Sequence, residues 1–326
     1  MPRLPCKLID SRAEAPTGNC PRELWLCLCF ARERLKNSCL MRFFITSSLY
    51  YYAAGPSTLL CSLSCAKTTG QAVFKESLTT SRQVICTDLT VGQERSRITK
   101  LEMKEGGDLA VHYLATAQTT VHTTLLVRAE KRKAEELRAP VIPYLFPSRY
   151  APSDRLRAAA MDLFGGISGT FDQVLAIEEW LFRHITYVIG ASSEQSCARD
   201  TFELRAGVCR DFAHLGISFC RALCIPARYV TAYAYQLYPQ DFHAVFEVYI
   251  KGNWYVIDGT RKAPLNGMIR IATGRDASDS AVATLFGNIQ GQGIYVETAI
   301  SDDADGEFLP VTREMLMAKE EILYLG

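Results

Sequence analysis

The sequence has no apolar run close to the roughly 18 residues that a transmembrane helix needs. It also has little net charge, +1 at pH 7, so charge alone indicates neither a nucleic-acid partner nor a membrane surface. No internal repeat and no low-complexity segment interrupts the chain. What is present is ordinary for a globular protein, with 48% hydrophobic and 22% charged residues, and the 326 residues predict about two domains.

Twelve cysteines are scattered along the chain without the regular spacing of a disulfide framework. Cys220 and Cys224 stand four residues apart on a predicted helix, but no second pair follows at zinc-site spacing. We therefore predict core packing for this pair, and no metal ion and no cofactor for the protein. Most of the cysteines are interpreted as reduced residues of a cytoplasmic protein.

Composition divides the chain into four predicted segments. Residues 1–40 mix proline, cysteine and charge, and are predicted to be a poorly packed extension. Residues 41–138 carry short alternating runs of β-branched and apolar residues broken by glycines, which predicts an all-β domain, a sandwich. Four prolines then fall within residues 139–153, and predict a linker or extended strap rather than a helix.

Residues 154–326 have the pattern of an α+β domain, with helices first and strands later. Helical periodicity covers residues 154–164 and 171–184, and Asp200 with Glu203 resembles the capping box of a short third helix. Strand-like runs follow at residues 228–235, 242–250, 254–257 and 294–300.

Cys209 stands where the next helix is predicted to begin. Gly207 allows a sharp turn before it, and apolar residues recur at helical spacing from Phe212 to Leu223, which predicts a buried amphipathic helix. Unpaired N–H groups and the positive end of the helix dipole favour a thiolate at this position. Cys209 is therefore a candidate nucleophile.

His243 and Asp258 are the candidate base and orienting group. His243 lies near the start of one predicted strand, Asp258 follows the next, and Gly252-Asn253 between them is a hairpin signal. A tight turn there puts Asp258 opposite Glu247, about 13 Å along the strand from His243 at about 3.3 Å per residue. A looser loop, a bulge or strong twist is needed to join an imidazole and a carboxylate in a triad with the thiol.

The motif from Gly207 to Ala213, then His243 at the head of a strand, then Trp254-Tyr-Val-Ile-Asp258 resemble the transglutaminase-like superfamily. Over residues 41–300 the chain looks like bacterial members with an N-terminal β domain. The resemblance implies a papain-like α+β core, with Cys209 as nucleophile, His243 as acid and base, and Asp258 as orienting group. It implies thiol-dependent hydrolysis of peptide or isopeptide bonds, or acyl transfer to an amine, on a protein or peptide substrate.

Plainer interpretations stay open. His214 is a rival base, but five residues after Cys209 on one helix it points to another face, and a local hydrogen bond explains it better. Arg210 and Asp211 are explained by the helix start, with Asp211 complementing the dipole. A non-catalytic transglutaminase-like module for protein binding is the alternative to an enzyme, although such a module has no need of all three polar residues.

Overall fold

The structure, a computed structural model, describes residues 38–126, 137–302 and 307–325. Its helices are α1 (Arg157–Phe164), α2 (Thr170–His184), α3 (Ala198–Leu204), α4 (Cys209–Ala222) and α5 (Arg313–Ala318), with 3-10 turns at Ala139–Leu145 and Leu265–Gly267. Its strands are β1 (Ser38–Cys61), β2 (Gln71–Thr80), β3 (Ile85–Val91), β4 (Ser96–Met103), β5 (Gly107–Leu125), β6 (Thr186–Tyr187), β7 (Ala206–Gly207), β8 (Ala227–Ala234), β9 (His243–Ile250), β10 (Asn253–Ile257), β11 (Met268–Gly274), β12 (Ala283–Ile300) and β13 (Glu321–Leu325).

One sheet of 11 strands runs through both predicted domains. Its order is β11-β8-β9-β10-β13-β5-β1-β4-β3, with β12 added to β1 and β2 added to β5. All the long-strand pairings are antiparallel, while β6 and β7 form a separate two-stranded parallel pair. The α+β prediction is confirmed, and the predicted boundaries at residues 138 and 153 stay predictions.

Strands β8 and β9 are buried along their whole length, because both of their faces are covered. One face, with Tyr229 and Phe246, belongs to the core that holds the helices, while the other, with Val230 and Val245, packs in a separate core. A strand buried on both faces reads as a continuous apolar run, which β9 does apart from His243 and Glu247. These two polar residues therefore need partners inside the protein.

Helix α4 is the central helix of the domain. The sequence predicts an amphipathic helix, but every residue from Asp211 to Ala222 is buried, so no face of that segment is left to solvent. The apolar face packs against α2, α3 and β9 in the main core. The polar face is covered as well, and the partners of His214 described below explain how.

Strands of the N-terminal half share a core with strands of the C-terminal half of the chain. Side chains of β1 and β5 share a core with Tyr233 of β8 and Ile269 of β11. The Tyr233 hydroxyl donates to the Leu63 carbonyl at 2.8 Å and lies 3.0 Å from the Ser47 hydroxyl. The strands that share this core also belong to one continuous sheet.

At three places the structure differs from what the sequence predicts. The proline-rich strap contains a 3-10 helix at Ala139–Leu145, because proline at the first helical positions has a suitable φ and lacks an N–H that would be unpaired there anyway. Asp200 is not the cap of α3 but its third residue, where it accepts from the Cys197 N–H at 2.8 Å. Strand β1 begins at Ser38; the rest of the predicted extension, residues 1–37, lies outside the described residues.

Helices long and apolar enough to cross a membrane are absent from the described ranges.

Candidate active site

Cys209 is the first residue of α4 and is partly exposed, whereas the residues that follow Arg210 are buried. An aspartate in the first turn fixes this end of the helix. Asp211 accepts a hydrogen bond from the Val208 N–H at 2.8 Å and is almost completely buried. A carboxylate here satisfies one unpaired N–H and complements the helix dipole, as the sequence predicts.

A glycine is needed at position 207 for a different reason from the sharp turn that the sequence predicts. Its φ is not positive, so backbone freedom is not the reason for a glycine. A Cβ atom at this position would lie 2.6 Å from the Cβ of Asp211. The absence of a side chain at Gly207 therefore makes room for the carboxylate that caps the helix.

The polar neighbours of Asp211 are Arg210 on α4 and the segment at residues 192–193, which lies between β6 and α3. Arg210 donates to the Asp211 carboxylate at 3.0 Å and to the Ser193 carbonyl at 2.6 Å. The Ser192 hydroxyl donates to the same carboxylate. Arg210 and Asp211 thus hold the segment at residues 192–193 against the helix start, which agrees with the structural role predicted for them.

The β9–β10 hairpin turns one residue earlier than predicted, at Lys251-Gly252. Both residues have positive φ, 49° and 90°, which is the geometry of a two-residue type I′ turn. The register then pairs Ile257 with Phe246 and brings Asp258 level with Val245. His243 is only two residues further, about 7 Å along the strand instead of about 13 Å.

This register brings His243 and Asp258 into direct contact. The Nε2 atom of His243 lies 2.9 Å from Oδ2 of Asp258, and both side chains are almost fully buried. Thr260 satisfies the other carboxylate oxygen, with its N–H at 2.8 Å and its hydroxyl at 2.7 Å. Burial raises the pKa of Asp258, but His243 and the Thr260 donors outweigh it, so the pKa lies below its ordinary value.

The remaining ring nitrogen of His243 is available for the thiol. Because the ionised Asp258 can only accept, Nε2 carries the proton, and Nδ1 holds the lone pair of the neutral ring. Nδ1 is buried and makes no well-aligned hydrogen bond within the described residues, while the Cys209 thiol interacts with the ring. Burial lowers the pKa of His243, but Asp258 and then Cys209 outweigh it and raise the pKa to about 10.

His214, the rival base, lies elsewhere. Its ring is fully buried and stacked between Tyr150 and Tyr229, with ring centroids at 5.1 and 4.9 Å. Its Nε2 accepts from the N–H of Ala277 at 3.1 Å, so its hydrogen bond is not local but joins α4 to a distant loop. Burial lowers the pKa of His214 to about 3 despite the nearby Asp276.

Two further residues of the site are not predicted from the sequence. Thr260 completes the hydrogen bonding of Asp258, and the Asp258-Gly-Thr260 spacing of an Asx turn is the signal that points to it. Burial, and after it the nearby Cys209, raises the pKa of Tyr187. The sequence gives no signal for Tyr187, because only the pairing of β6 with β7 brings it to α4.

The core packing predicted for Cys220 and Cys224 holds for only one of them. Cys220 is buried in the core, but Cys224 is exposed and lies in the turn after α4. Within the described part of the chain, no three His, Cys, Asp or Glu side chains group as metal ligands.

Comparison with known proteins gives the class of the protein. Residues 157–259 match the transglutaminase-like superfamily, and residues 41–132 match the N-terminal domain of bacterial transglutaminase. A candidate cysteine protease of Cytophaga hutchinsonii with a crystal structure is 39% identical, with a TM-score of 0.84, and the match covers 89% of this chain and 100% of that chain. The chain therefore belongs to the transglutaminase-like superfamily, in a form with the bacterial N-terminal β domain.

Two other proteins are similar to parts of the chain. An uncharacterised protein of Mycobacterium leprae (strain TN), ML0607, is 29% identical over 161 residues, 46% of this chain. The match spans only 56% of the length of that relative. The periplasmic domain of TgpA from Pseudomonas aeruginosa is 16% identical with a TM-score of 0.36, over 69% of this chain and 93% of that chain.

Proposed function

We propose that this protein is a thiol-dependent hydrolase of peptide or isopeptide bonds, with Cys209 as nucleophile, His243 as acid and base, and Asp258 as orienting group. The observation that carries the proposal is the buried contact of His243 Nε2 with Asp258 at 2.9 Å, which leaves Nδ1 for the thiol at the start of α4. The Cytophaga relative, which covers the whole fold at 39% identity, is designated a candidate cysteine protease, and this supports the same class.

The chemistry follows from the protonation states. His243 already holds the thiol proton on Nδ1 in the resting site, because Asp258 and Cys209 raise its pKa to about 10 and stabilise the imidazolium. The thiolate attacks the substrate carbonyl, a C–S bond forms, and the carbonyl electron pair moves to the oxygen. Collapse of this intermediate breaks the C–N bond while His243 gives its proton to the leaving amine. A thioester on Cys209 remains.

The acceptor of the acyl group decides between hydrolysis and transfer. Water attacks the thioester as His243 takes one of its protons, and the acid leaves as the thiol is restored. A primary amine follows the same path and gives an amide. We propose water as the main acceptor, because transfer needs a second binding site for the amine, and the described residues give no evidence of one.

Selective reaction of Cys209 with iodoacetamide at pH 6 tests the proposal. The exposed thiols of Cys86 and Cys224 serve as internal references. We expect Cys209 to react much faster than either, and this advantage to disappear in His243→Ala but to persist in the matched variant His214→Ala. Reaction of Cys209 no faster than its references would favour the non-catalytic binding module.

An assay with a glutamine-containing peptide and a labelled primary amine then distinguishes water from the amine as the acceptor of the acyl group. Ammonia release without incorporation of the amine supports hydrolysis, and incorporation as the main outcome contradicts it. Cys209→Ala serves as the control and is expected to lose both the release of ammonia and the incorporation of the amine.

This proposal includes a protein or peptide substrate and a reducing, cytoplasmic location. The location is inferred from the buried free thiols of Cys61, Cys65 and Cys220.

A further inference from the structure

The turn that carries Asp258 lies directly on α2. The N–H and the hydroxyl of Thr260 donate to one oxygen of Asp258, and the other oxygen contacts His243. Between Asp258 and Thr260, a Cβ atom at Gly259 would lie only 3.0 Å from Cδ1 of the buried Leu181 of α2. The backbone of this turn is therefore placed by its contact with the helix as well as by its own hydrogen bonds.

Arg261, the residue after this turn, adopts an unfavourable backbone conformation. Its φ is 52°, in the left-handed region that disfavours residues with a Cβ atom, and such a conformation persists only where the surroundings fix it. One helix supplies these surroundings. The Arg261 guanidinium donates to Glu178 of α2 at 2.5 Å and to Glu179 at 2.6 Å. It also lies 4.1 Å from the centroid of the Phe182 ring. Three side chains of α2 thus hold Arg261 and, through it, the end of the Asp258 turn.

Glu178 is a charged residue on the apolar side of α2. Its side chain is almost completely buried, on the side of the helix that also carries Val174, Ile177 and Leu181. One of its oxygens accepts from Arg261, and the other accepts from Arg313 of α5 at 2.7 Å. An apolar residue would serve the core at least as well, because the desolvation of a buried ion pair offsets most of its attraction. Packing alone therefore gives no reason for a carboxylate at this position.

We propose that Glu178 is a positioning residue of the catalytic site, which holds Arg261 so that the turn keeps Asp258 in contact with His243; this inference rests on the proposed function. Release of Arg261 frees the turn to move away from α2, and the carboxylate of Asp258 then moves relative to the imidazole. Arg313 provides a matched comparison, because it donates to the same carboxylate of Glu178 but belongs to α5 and not to the turn.

The experiment follows acylation of Cys209 by p-nitrophenyl acetate as a burst of nitrophenolate, corrected with Cys209→Ala, as a function of pH. We expect Glu178→Gln and Arg261→Gln each to slow the burst roughly 10- to 10²-fold, the cost of misplacing a catalytic group by up to about 1 Å. Both are expected to move the alkaline limb of the pH profile to lower pH, because a weaker contact with Asp258 stabilises the imidazolium less. Arg313→Gln is expected to change neither the rate nor the profile.

Three results would overturn the inference. The first is an unchanged rate in Arg261→Gln, which decides alone if Glu178→Gln does not fold, because Glu178 keeps its ion pair with Arg313 there. The second is an alkaline limb that moves to higher pH in Arg261→Gln and to lower pH in Glu178→Gln, since loss of a cation favours the imidazolium and loss of an anion disfavours it. That pattern would show an effect of charge alone.

The third is an equal loss of acylation in Arg313→Gln, which would assign the whole cluster to the stability of the fold. A burst that persists in Cys209→Ala contradicts the proposed function instead, so the two failures are distinguishable.

Discussion

Two buried histidines, His214 on α4 and His243 on β9, have pKa values that are shifted in opposite directions. His243, near the start of the helix, has a pKa raised to about 10, whereas His214, one turn further along, has a pKa lowered to about 3. Burial lowers the pKa of both, and it is the first cause in each case. The difference must therefore come from their partners.

The partners show what a buried imidazolium requires. His243 contacts a carboxylate directly, and Thr260 satisfies that carboxylate's other oxygen. His214 has Asp276 nearby, but this carboxylate accepts from Tyr150 and Ser278 instead, and Arg210 opposes a second positive charge. A nearby negative charge is thus not sufficient; direct contact is what makes a buried histidine basic.

Asp258→Asn removes the difference between the two histidines and has the largest expected effect. Without the carboxylate, the pKa of His243 falls from about 10, and its ring also loses its fixed orientation. We expect acylation of Cys209 to slow by roughly 10²- to 10⁴-fold, and the alkaline limb of its pH profile to move to lower pH. Asp276→Asn is the control, and an alkaline limb that stays in place in Asp258→Asn would contradict the account.

Another buried carboxylate, Glu247 of β9, provides a comparison with Asp258, because its role is structural. Glu247 is fully buried and accepts from Arg228 at 2.7 Å and from Arg270. Glu247→Gln leaves two buried arginines poorly compensated, and we expect it to lower the free energy of unfolding by roughly 3–5 kcal/mol. The activity of the folded fraction is expected to stay unchanged.

Urea titration measures this loss, and an exposed ion pair is its control. Glu102→Gln breaks the pair with Lys100, whose atoms lie 2.9 Å apart at the surface, and is expected to cost about 0–1 kcal/mol. Equal losses in the two variants would show that the cluster around Glu247 does not stabilise the fold in the expected way.

The smallest effect concerns the pH dependence of stability. Below its ordinary pKa of 6.5, His214 gains a proton in the unfolded chain but not in the folded protein until about pH 3. Stability therefore falls as pH falls through this window, by about 1.4 kcal/mol per pH unit at most. In urea titrations at pH 6.5 and 5.5, His214→Gln is expected to lose less stability than the parent protein; an equal loss would contradict a neutral His214.

The contribution of His243 to stability changes with pH in the opposite direction. Its folded pKa of about 10 exceeds the ordinary value of 6.5, so its contribution to stability is complete below pH 6.5. That contribution is lost as pH rises towards 10. Asp258, with a lowered pKa, contributes above its ordinary value of 3.8 and loses this as pH falls through its folded pKa.

Much of the fold could be predicted from the sequence, because periodicity follows burial. The helices before Cys209 and the strands β8 to β10 lie close to where apolar spacing predicts them, whereas β12 begins well before the predicted run at 294–300, and β11 and β13 are not predicted. The full burial of α4 was missed, since its polar residues find partners in loops far along the chain, such as Ala277 for His214. Local periodicity carries no information about such partners.

The candidate site was predicted residue by residue but not in its geometry. Lys251 adopts a positive φ in the hairpin turn, although a lysine gives no signal for it, and Asn253 suggested a turn one residue later. That single residue decides whether Asp258 contacts His243. Tyr187 was missed for a related reason, because it reaches Cys209 through a pairing with residues about twenty positions away.

The charge of His243 is the central claim, and ¹⁵N NMR of histidine-labelled protein at pH 8 tests it most directly. The account predicts an imidazolium signal at this pH, assigned to His243 by its absence in His243→Asn and turned neutral by Asp258→Asn. A His243 ring that is neutral at pH 8 and titrates near its ordinary value would contradict the account.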